Sequence, residues 1–337
     1  MTTDFPAPPP SVLITGATGF LGGYAVSEFL AHGYTVVAHG RNPEALQRLQ
    51  ELGATPVSGD LAQLGRLEHP VDLVVHAAAL SNPWGKWEDF EESNVAGTGH
   101  VIDFVERNGV PRIVFVSSPS IYADKGDRLN IKEIHPPRHK PLSSYIRSKI
   151  AAEALLLEAH KAGRVPELLT IRPRGLIGAG DTSVAPRLLQ AYRKIGVPLF
   201  RGGENLVDLT AVENVALALR LAAAAPHANG QVYNITNGQP RPFAELLEIL
   251  FKDLGLPPRY LKANATVLYG LGALLERLCH VLPGNPEPPL SRYMITTIAY
   301  SQTLDISRAR TELGYEPTVD IEQALAAFAA TYSVDHA

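Results

Sequence analysis

The run Val12-Leu13-Ile14-Thr15-Gly16-Ala17-Thr18-Gly19-Phe20-Leu21-Gly22 joins an apolar, strand-like triplet to a glycine-spaced turn and the start of a helical pattern. Its glycines have separable tasks: one permits a tight turn, one lets backbone approach a phosphate, and one lets helix and strand pack closely. Backbone N–H groups at a helix start face outward toward an anion. Gly16, Thr18, Gly19, Phe20, Leu21 and Gly22 are therefore candidate contacts to a pyrophosphate. Glycine-rich turns also join strands to helices without any ligand, so the surrounding sequence has to decide.

That sequence alternates. Short apolar runs at Val12–Ile14, Thr35–Ala38, Thr55–Val57, Leu73–His76, Ile113–Ser117 and Leu168–Arg172 are separated by helical patterns at Phe20–Ala31, Pro43–Leu52, Phe90–Arg107 and Ser144–His160. Gly33, Gly53 and Gly109 stand where helices end. Continuous apolar strands between helices predict an α/β fold, a Rossmann-type doubly wound parallel sheet. After Pro173 the pattern shifts to Gly- and Pro-rich loops with helices expected near Val184–Lys194, Val212–Ala224, Phe243–Leu254, Thr266–Leu282 and Ile321–Thr331, and a strand at Val232–Ile235. The expected organisation is a loose tail over 1–10, a dinucleotide-binding domain over 11–173 and a smaller, mainly helical substrate lobe over 174–337, with the chain free to cross between lobes.

Composition narrows the classes. Of 337 residues 45% are hydrophobic and 19% charged, and the net charge of -4 offers no basic field for nucleic acid. The single cysteine, Cys279, excludes an intrachain disulfide and a cysteine-built zinc site, so no metal is expected and the cytoplasm is the expected compartment. Met1–Pro10 has neither a basic start nor an apolar core, unlike a secretory signal. The uncharged segment Ala263–Leu275 falls short of the roughly 20 residues of a transmembrane helix.

Chemistry gathers at the strand ends. Arg41, in Gly40-Arg41-Asn42 after the second strand, stands where an NAD site usually carries an acid. A carboxylate accepts from the ribose hydroxyls but repels a 2′-phosphate, whereas a guanidinium binds it through directed, charge-assisted bonds. NADP(H) is thus the expected cofactor, with NAD(H) the alternative if Arg41 is only a solvated arginine; Asn42 adds a polar group beside it. Asp60 and Leu61 follow the third strand, and Asp60 either accepts from adenine or caps the next helix. Ala77, Ala78 and Ala79 follow the fourth, small enough for a cofactor to lie on the backbone, with His76 packed at the strand end. Tyr145 and Lys149 share one helix face, an arrangement in which an ammonium lowers a phenol's pKa, and Ser117-Ser118-Pro119-Ser120 lies at an adjacent strand end.

Taken with Asn94-Val95-Ala96-Gly97-Thr98, these marks resemble an extended short-chain dehydrogenase/reductase. Arg172-Pro173-Arg174-Gly175-Leu176-Ile177-Gly178, Asn234-Ile235-Thr236-Asn237-Gly238, Pro288-Pro289-Leu290-Ser291-Arg292-Tyr293 and Leu313-Gly314-Tyr315 resemble its 3β-hydroxysteroid dehydrogenase-like branch, in the epimerase/dehydratase superfamily. The resemblance implies Tyr145 as general acid/base, Lys149 on the nicotinamide ribose, Ser118 polarising the substrate oxygen, and Asn94 in the hydrogen-bond network. Counting back from Tyr122 favours Ser118, and a slip of two residues would exchange it for Ser120. Backbone around Pro173, Gly175 and Leu176 is implied at the nicotinamide amide, Ser117 is a further candidate cofactor contact, and a homodimer is implied as well.

The substrate signal is the apolar Ala265–Leu282 with Trp84 and Trp87, which suits a small hydrophobic molecule or else mere core packing and loop anchoring. Ser81, Trp84, Ser120 and Arg174 are candidate substrate contacts. The leading expectation is interconversion of a secondary alcohol and ketone on a sterol-like or long-chain β-hydroxy or β-keto acid. A nucleotide-sugar epimerase or dehydratase would need Arg187, Arg193, Lys194 and Arg201 for a diphosphate. A non-catalytic NADP-binding redox sensor would have no need of Tyr145 and Lys149.

Overall fold

Val12, Leu13 and Ile14 are each no more than 1% exposed, because strand β1 (Ser11–Thr15) is covered on both faces. Its neighbours follow the same logic. Val12 and Ile14 point into one core with helices Phe20–Ala31 and Val212–Ala224, while Leu13 points into a second core with helices Gly97–Asn108 and Ser144–Lys161. Side chains alternate across a strand, so a run apolar at every position feeds two cores at once. The computed structural model describes residues 10–137, 140–226 and 229–332, so 1–9 of the expected tail lie outside the described residues.

Strands β2 (Thr35–Gly40), β3 (Thr55–Ser58), β4 (Leu73–His76), β5 (Arg112–Val116), β6 (Glu167–Pro173) and β7 (Asn229–Ile235) complete a seven-stranded sheet in the order β7-β6-β5-β4-β1-β2-β3. All its pairings are parallel. The order reverses direction at β1 and β4, the point at which ligands bind in open α/β sheets. Gly33, Gly53 and Gly109 all take positive φ just past their helices, as the sequence leads one to expect.

A second lobe lies beside the carboxyl ends of these strands. Its four short strands, Arg241–Pro242, Leu206–Val207, Gln302–Leu304 and Arg128–Ile131, pair in that order. Its core is filled by helices Val184–Lys194, Phe243–Asp253 and Ile321–Thr331, through Leu189, Leu246, Leu250, Leu325 and Phe328. Chain is exchanged in both directions: Arg128–Ile131 leaves the first half to join this sheet, and β7 returns from the second half to the large one.

Two elements depart from the sequence expectation. The helix expected over Phe90–Arg107 is divided into helix Trp87–Phe90, a π-helical turn Glu91–Ala96 and helix Gly97–Asn108. The cause is Asn94, whose amide is bonded to both backbone groups of Leu80 and to Ser148 Oγ, which holds one residue out of the α register. Helix Ala265–Val281 packs only its inner face, through Gly272, Glu276 and Cys279. Its outer face exposes Val267, Leu271, Leu274, Leu278 and Val281, with Val267 65% and Val281 80% accessible, so core packing explains half of its apolar content.

Candidate active site

The turn after β1 is pressed against the end of β4. Gly16 has φ +71°, and a Cβ there would lie 2.7 Å from both N and Cα of Ala78; a Cβ on Gly22 would lie 2.0 Å from the Gly16 carbonyl oxygen. Helix Phe20–Ala31 starts at Gly19 with no side-chain cap and no acidic residue in its first turn, which leaves its leading N–H groups to face an anion. From this turn a cleft of about 1460 Å³ runs to the second lobe.

Most of the sequence candidates line that cleft: Gly16 and Thr18–Gly22, Arg41, Asp60 and Leu61, Ala77–Ala79, Ser81, Ser117, Ser118, Ser120, Tyr145, Lys149 and Pro173–Leu176. Three do not. Asn42 caps helix Pro43–Glu51 by accepting from Ala45 N at 3.0 Å. Trp84 is a strap: its Nε1 donates to the Asn285 carbonyl at 3.1 Å and its ring lies 4.5 Å from that of His280. Trp87 likewise anchors its loop, with the Arg147 guanidinium 3.6 Å above the ring. Asn94 is buried and bonded to Ser148 Oγ and to both backbone groups of Leu80. Asp60 has the capping role open to it from sequence, in a capping box with Gln63, while still lining the cleft.

Sequence reasoning missed His39 as a lining residue. Its ring nitrogens are buried beside the Asp60 backbone, and Ser117 Oγ is buried without a hydrogen-bond partner. Alternation along β2 places His39 on the face of Val37, a signal that local motifs did not carry. Burial lowers the His39 pKa, so the ring is neutral and can both donate and accept. His76, by contrast, is fully engaged by Thr15 at 2.8 Å and Thr98 at 3.0 Å, and burial drives its pKa down to about 3. A glycine cradle that a Cβ would fill, together with an orphaned polar atom in the same cleft, fits a dinucleotide. Gly16–Gly22 would hold its pyrophosphate, and Arg41, His39 and Asp60 its adenosine end.

Around Tyr145 the two serines face different phenols. Ser118 lies beside the Tyr145 hydroxyl and draws its pKa down, and Ser120 stands in the same relation to Tyr293. Ser118 Oγ also donates to Ser120 Oγ at 2.9 Å, which links both pairs. The expected lowering of the phenol by Lys149 is not found. Lys149 Nζ donates to the Val116 carbonyl at 2.9 Å and lies 4.9 Å over the Phe115 ring, so burial dominates at Tyr145 and raises its pKa against the pull of Ser118. Of the basic groups considered for a diphosphate, Arg187 and Lys194 line the cleft, while Arg201 is paired with Asp127 at 2.7 and 2.8 Å.

Lys149 makes a pH prediction. Burial lowers its pKa from 10.5 to about 8 in the folded protein, so between those values the unfolded chain carries a proton that the folded one lacks. Stability must then rise with pH through that window. Urea unfolding of cofactor-free protein at pH 7.5 and 9.0, where ordinary tyrosines stay mostly protonated, should show wild type responding more favourably to the rise in pH than Lys149→Met. Equal responses would contradict a buried, depressed lysine.

With this geometry in view, comparison with known proteins is direct. The model of the NAD dependent epimerase/dehydratase family matches residues 12–236. A 2-alkyl-3-oxoalkanoate reductase of Stenotrophomonas maltophilia (strain K279a) is 33% identical over 326 residues, 93% of this chain and 97% of that protein. The decarboxylating sterol-4-alpha-carboxylate 3-dehydrogenase erg26 of Schizosaccharomyces pombe is 30% identical over 331 residues, 94% and 95% of the two chains. Among solved structures, MoeE5 in complex with UDP-glucuronic acid and NAD is 26% identical with a TM-score of 0.74, covering 95% of this chain and 98% of that one. The chain belongs to the NAD dependent epimerase/dehydratase family, and within it to the 3β-hydroxysteroid dehydrogenase-like branch of the extended short-chain dehydrogenases/reductases.

Proposed function

We propose that this chain is an NADP(H)-dependent oxidoreductase that interconverts a secondary alcohol and a ketone on a hydrophobic molecule, a sterol-like or long-chain β-hydroxy or β-keto acid. The observation that carries this reading is the placing of Ser118, Tyr145 and Lys149 in the same cleft as the glycine turn. Ser118 holds the reacting oxygen and Tyr145 Oη gives it a proton during reduction or takes one during oxidation. A bound nicotinamide nucleotide supplies or accepts the hydride. The raised phenol keeps its proton at neutral pH, the state needed to protonate a developing alkoxide. Lys149 closes the floor of the site, and Asn94 fixes the helix bearing Tyr145 through Ser148.

The substrate class rests on the second-lobe wall, where Leu188, Leu209, Phe243, Leu246 and Met294 line the cleft. It also rests on the relatives' names: in 2-alkyl-3-oxoalkanoates and sterol-4α-carboxylates alike, a carboxylate sits on the carbon next to the oxygen-bearing one. Following NADPH absorbance with steroid ketones, β-keto acids, aromatic aldehydes and nucleotide sugars tests the assignment. Turnover of a keto acid or steroid ketone is expected, and turnover of a nucleotide sugar instead would overturn it. A lone, buried Cys279 fits a reducing compartment, the cytoplasm. No described helix is long and apolar enough to cross a membrane.

The preference for NADP(H) is supported by Arg41, which is exposed at the cleft and forms no ion pair with a described residue. Gly40 beside it leaves no room for a side chain, since a Cβ would lie 2.5 Å from Thr18 Cγ2. A charge-assisted guanidinium–phosphate contact is worth about 1.5–3 kcal/mol, or roughly ten- to a hundredfold in affinity. Arg41→Asp should weaken NADPH binding at least about tenfold more than NADH binding, by fluorescence titration. Equal losses would remove the phosphate role.

A further inference from the structure

Arg174 carries a burden that the protein itself does not relieve. Strand β6 ends at Pro173, and the next residue is held by its backbone: Arg174 N donates to the Ile235 carbonyl at 3.1 Å, and Thr210 Oγ1 donates to the Arg174 carbonyl. Gly175 follows with φ +53°, and a Cβ there would lie 2.8 Å from Leu209 Cδ2 and 3.2 Å from the Asp208 carbonyl oxygen. Only a glycine lets this loop lie flat on the Asp208–Leu209 segment in a left-handed conformation. The loop therefore fixes where the arginine side chain starts.

The side chain ends in the cleft, yet the residue is only 8% exposed, and its Nε and Nη2 are buried with no hydrogen-bond partner. Leaving a charged donor buried and unsatisfied costs about 1–3 kcal/mol or more. Asp208 faces the same space but does not neutralise it: Arg174 makes no ion pair within 4.0 Å with a described residue, and Asp208 Oδ2 instead accepts from Leu304 N at 2.7 Å. Burial raises the Asp208 pKa to about 6, so the carboxylate is charged at neutral pH, yet it makes no direct hydrogen bond to the guanidinium. The guanidinium is thus desolvated at the cleft, with two of its donors unpartnered.

Its position relative to the chemistry follows from its neighbours. Ser118 lies against Tyr145 and donates to Ser120, and Ser120 lies against Tyr293, whose phenol lies in the field of Arg174. The cation therefore lies beside the place where the reacting oxygen binds, on the second-lobe side. A planar fork of N–H donors in a water-poor site matches a carboxylate through two parallel bonds.

We infer that Arg174 is the carboxylate-binding residue of the substrate site, so that the protein selects an acid over its neutral ester or ketone. This inference rests on the alcohol–ketone reading above and assigns the group that sets its specificity. The substrate's carboxylate would satisfy Nε and Nη2 of Arg174, while Ser118 and Tyr145 engage the oxygen on the adjacent carbon. The exposed Arg187, which also bears on Tyr293, stands at the rim and draws the anion in.

The test uses NADP+-loaded protein with three probes: a long-chain 3-hydroxy acid, its methyl ester and UDP-glucose, with calorimetric binding and oxidation kinetics read in parallel. Wild type should bind the acid at least about tenfold tighter than the ester, the scale of one charge-assisted pair. Arg174→Met should bring that ratio near one, and Arg174→Lys should restore part of it. Thermal unfolding of Arg174→Met should not fall, since a buried unpaired charge has been removed; a lowered melting temperature would make the guanidinium a structural strut and overturn the assignment. A wild-type protein that oxidises acid and ester alike, or a preference that survives in Arg174→Met, would also overturn it. UDP-glucose binding that depends on Arg174 would move the anion to a diphosphate, against the carboxylate. Acid binding that depends on Arg174 without any turnover would sink the oxidoreductase reading and leave the carboxylate site standing.

Discussion

Tyr145→Phe should lower kcat about a hundredfold to ten-thousandfold, the usual contribution of a placed general acid, while NADPH affinity stays at the wild-type level. The substitution removes one oxygen from a part-buried ring and leaves Phe90, whose ring centre lies 6.3 Å away, to pack against the same face. What is lost is the phenol proton beside Ser118, at the lining of the cleft. Because that proton matters only as charge develops on the substrate oxygen, the fall should appear in kcat and kcat/KM together, with KM little changed. Steady-state kinetics alongside NADPH titration checks both halves. A variant with full turnover would refute the assigned acid, and one that keeps its biological role without turnover would make the protein a sensor.

The second large effect is on the fold itself. Gly22→Ala should cost about 3 kcal/mol or more in urea unfolding and abolish dinucleotide binding, the upper range of overpacking because backbone, not side chain, is in the way. The added methyl would sit 2.0 Å from the Gly16 carbonyl oxygen and 2.7 Å from Ala17 Cα. Neither atom can rotate aside. Relief requires helix Phe20–Ala31 to move off the turn, which also moves its N–H groups away from a phosphate. A Gly22→Ala protein with wild-type stability and NADPH affinity would mean that the turn is slack. By contrast Gly33, with open space around it, lies past the helix end where only its positive φ matters.

The difference between those two glycines shows what was legible before any coordinates. Strands β1, β4 and β5 each carry three or four consecutive apolar residues because helices cover both faces, and such runs stand out in sequence. The strands Leu206–Val207, Arg241–Pro242 and Gln302–Leu304 do not, since two or three residues carry no period and their pairing partners are far along the chain. Tyr145 and Lys149 were legible as a pair from helical spacing alone. Their electrostatics were not, because Val116 and Phe115, which take up the ammonium, come from a distant strand. Asn94 was visible as a candidate, but its role in breaking the helix register depends on Leu80 and Ser148 approaching from outside it. Asp60 was ambiguous between ligand and cap, and Gln63 three residues on was the local signal for the cap. Arg174 could be named but not weighed, for its isolation is a property of everything folded around it.

The exchange of strands between the two halves has a consequence for synthesis. Glu167–Pro173 enters the large sheet with only one neighbour until Asn229–Ile235 has been made. At the roughly 5–20 residues per second of translation, the emerging chain carries an open parallel edge for several seconds. Such an edge is a template for pairing with another chain. Ribosome-bound fragments ending before Asn229 should therefore depend on chaperones in a way the finished protein does not.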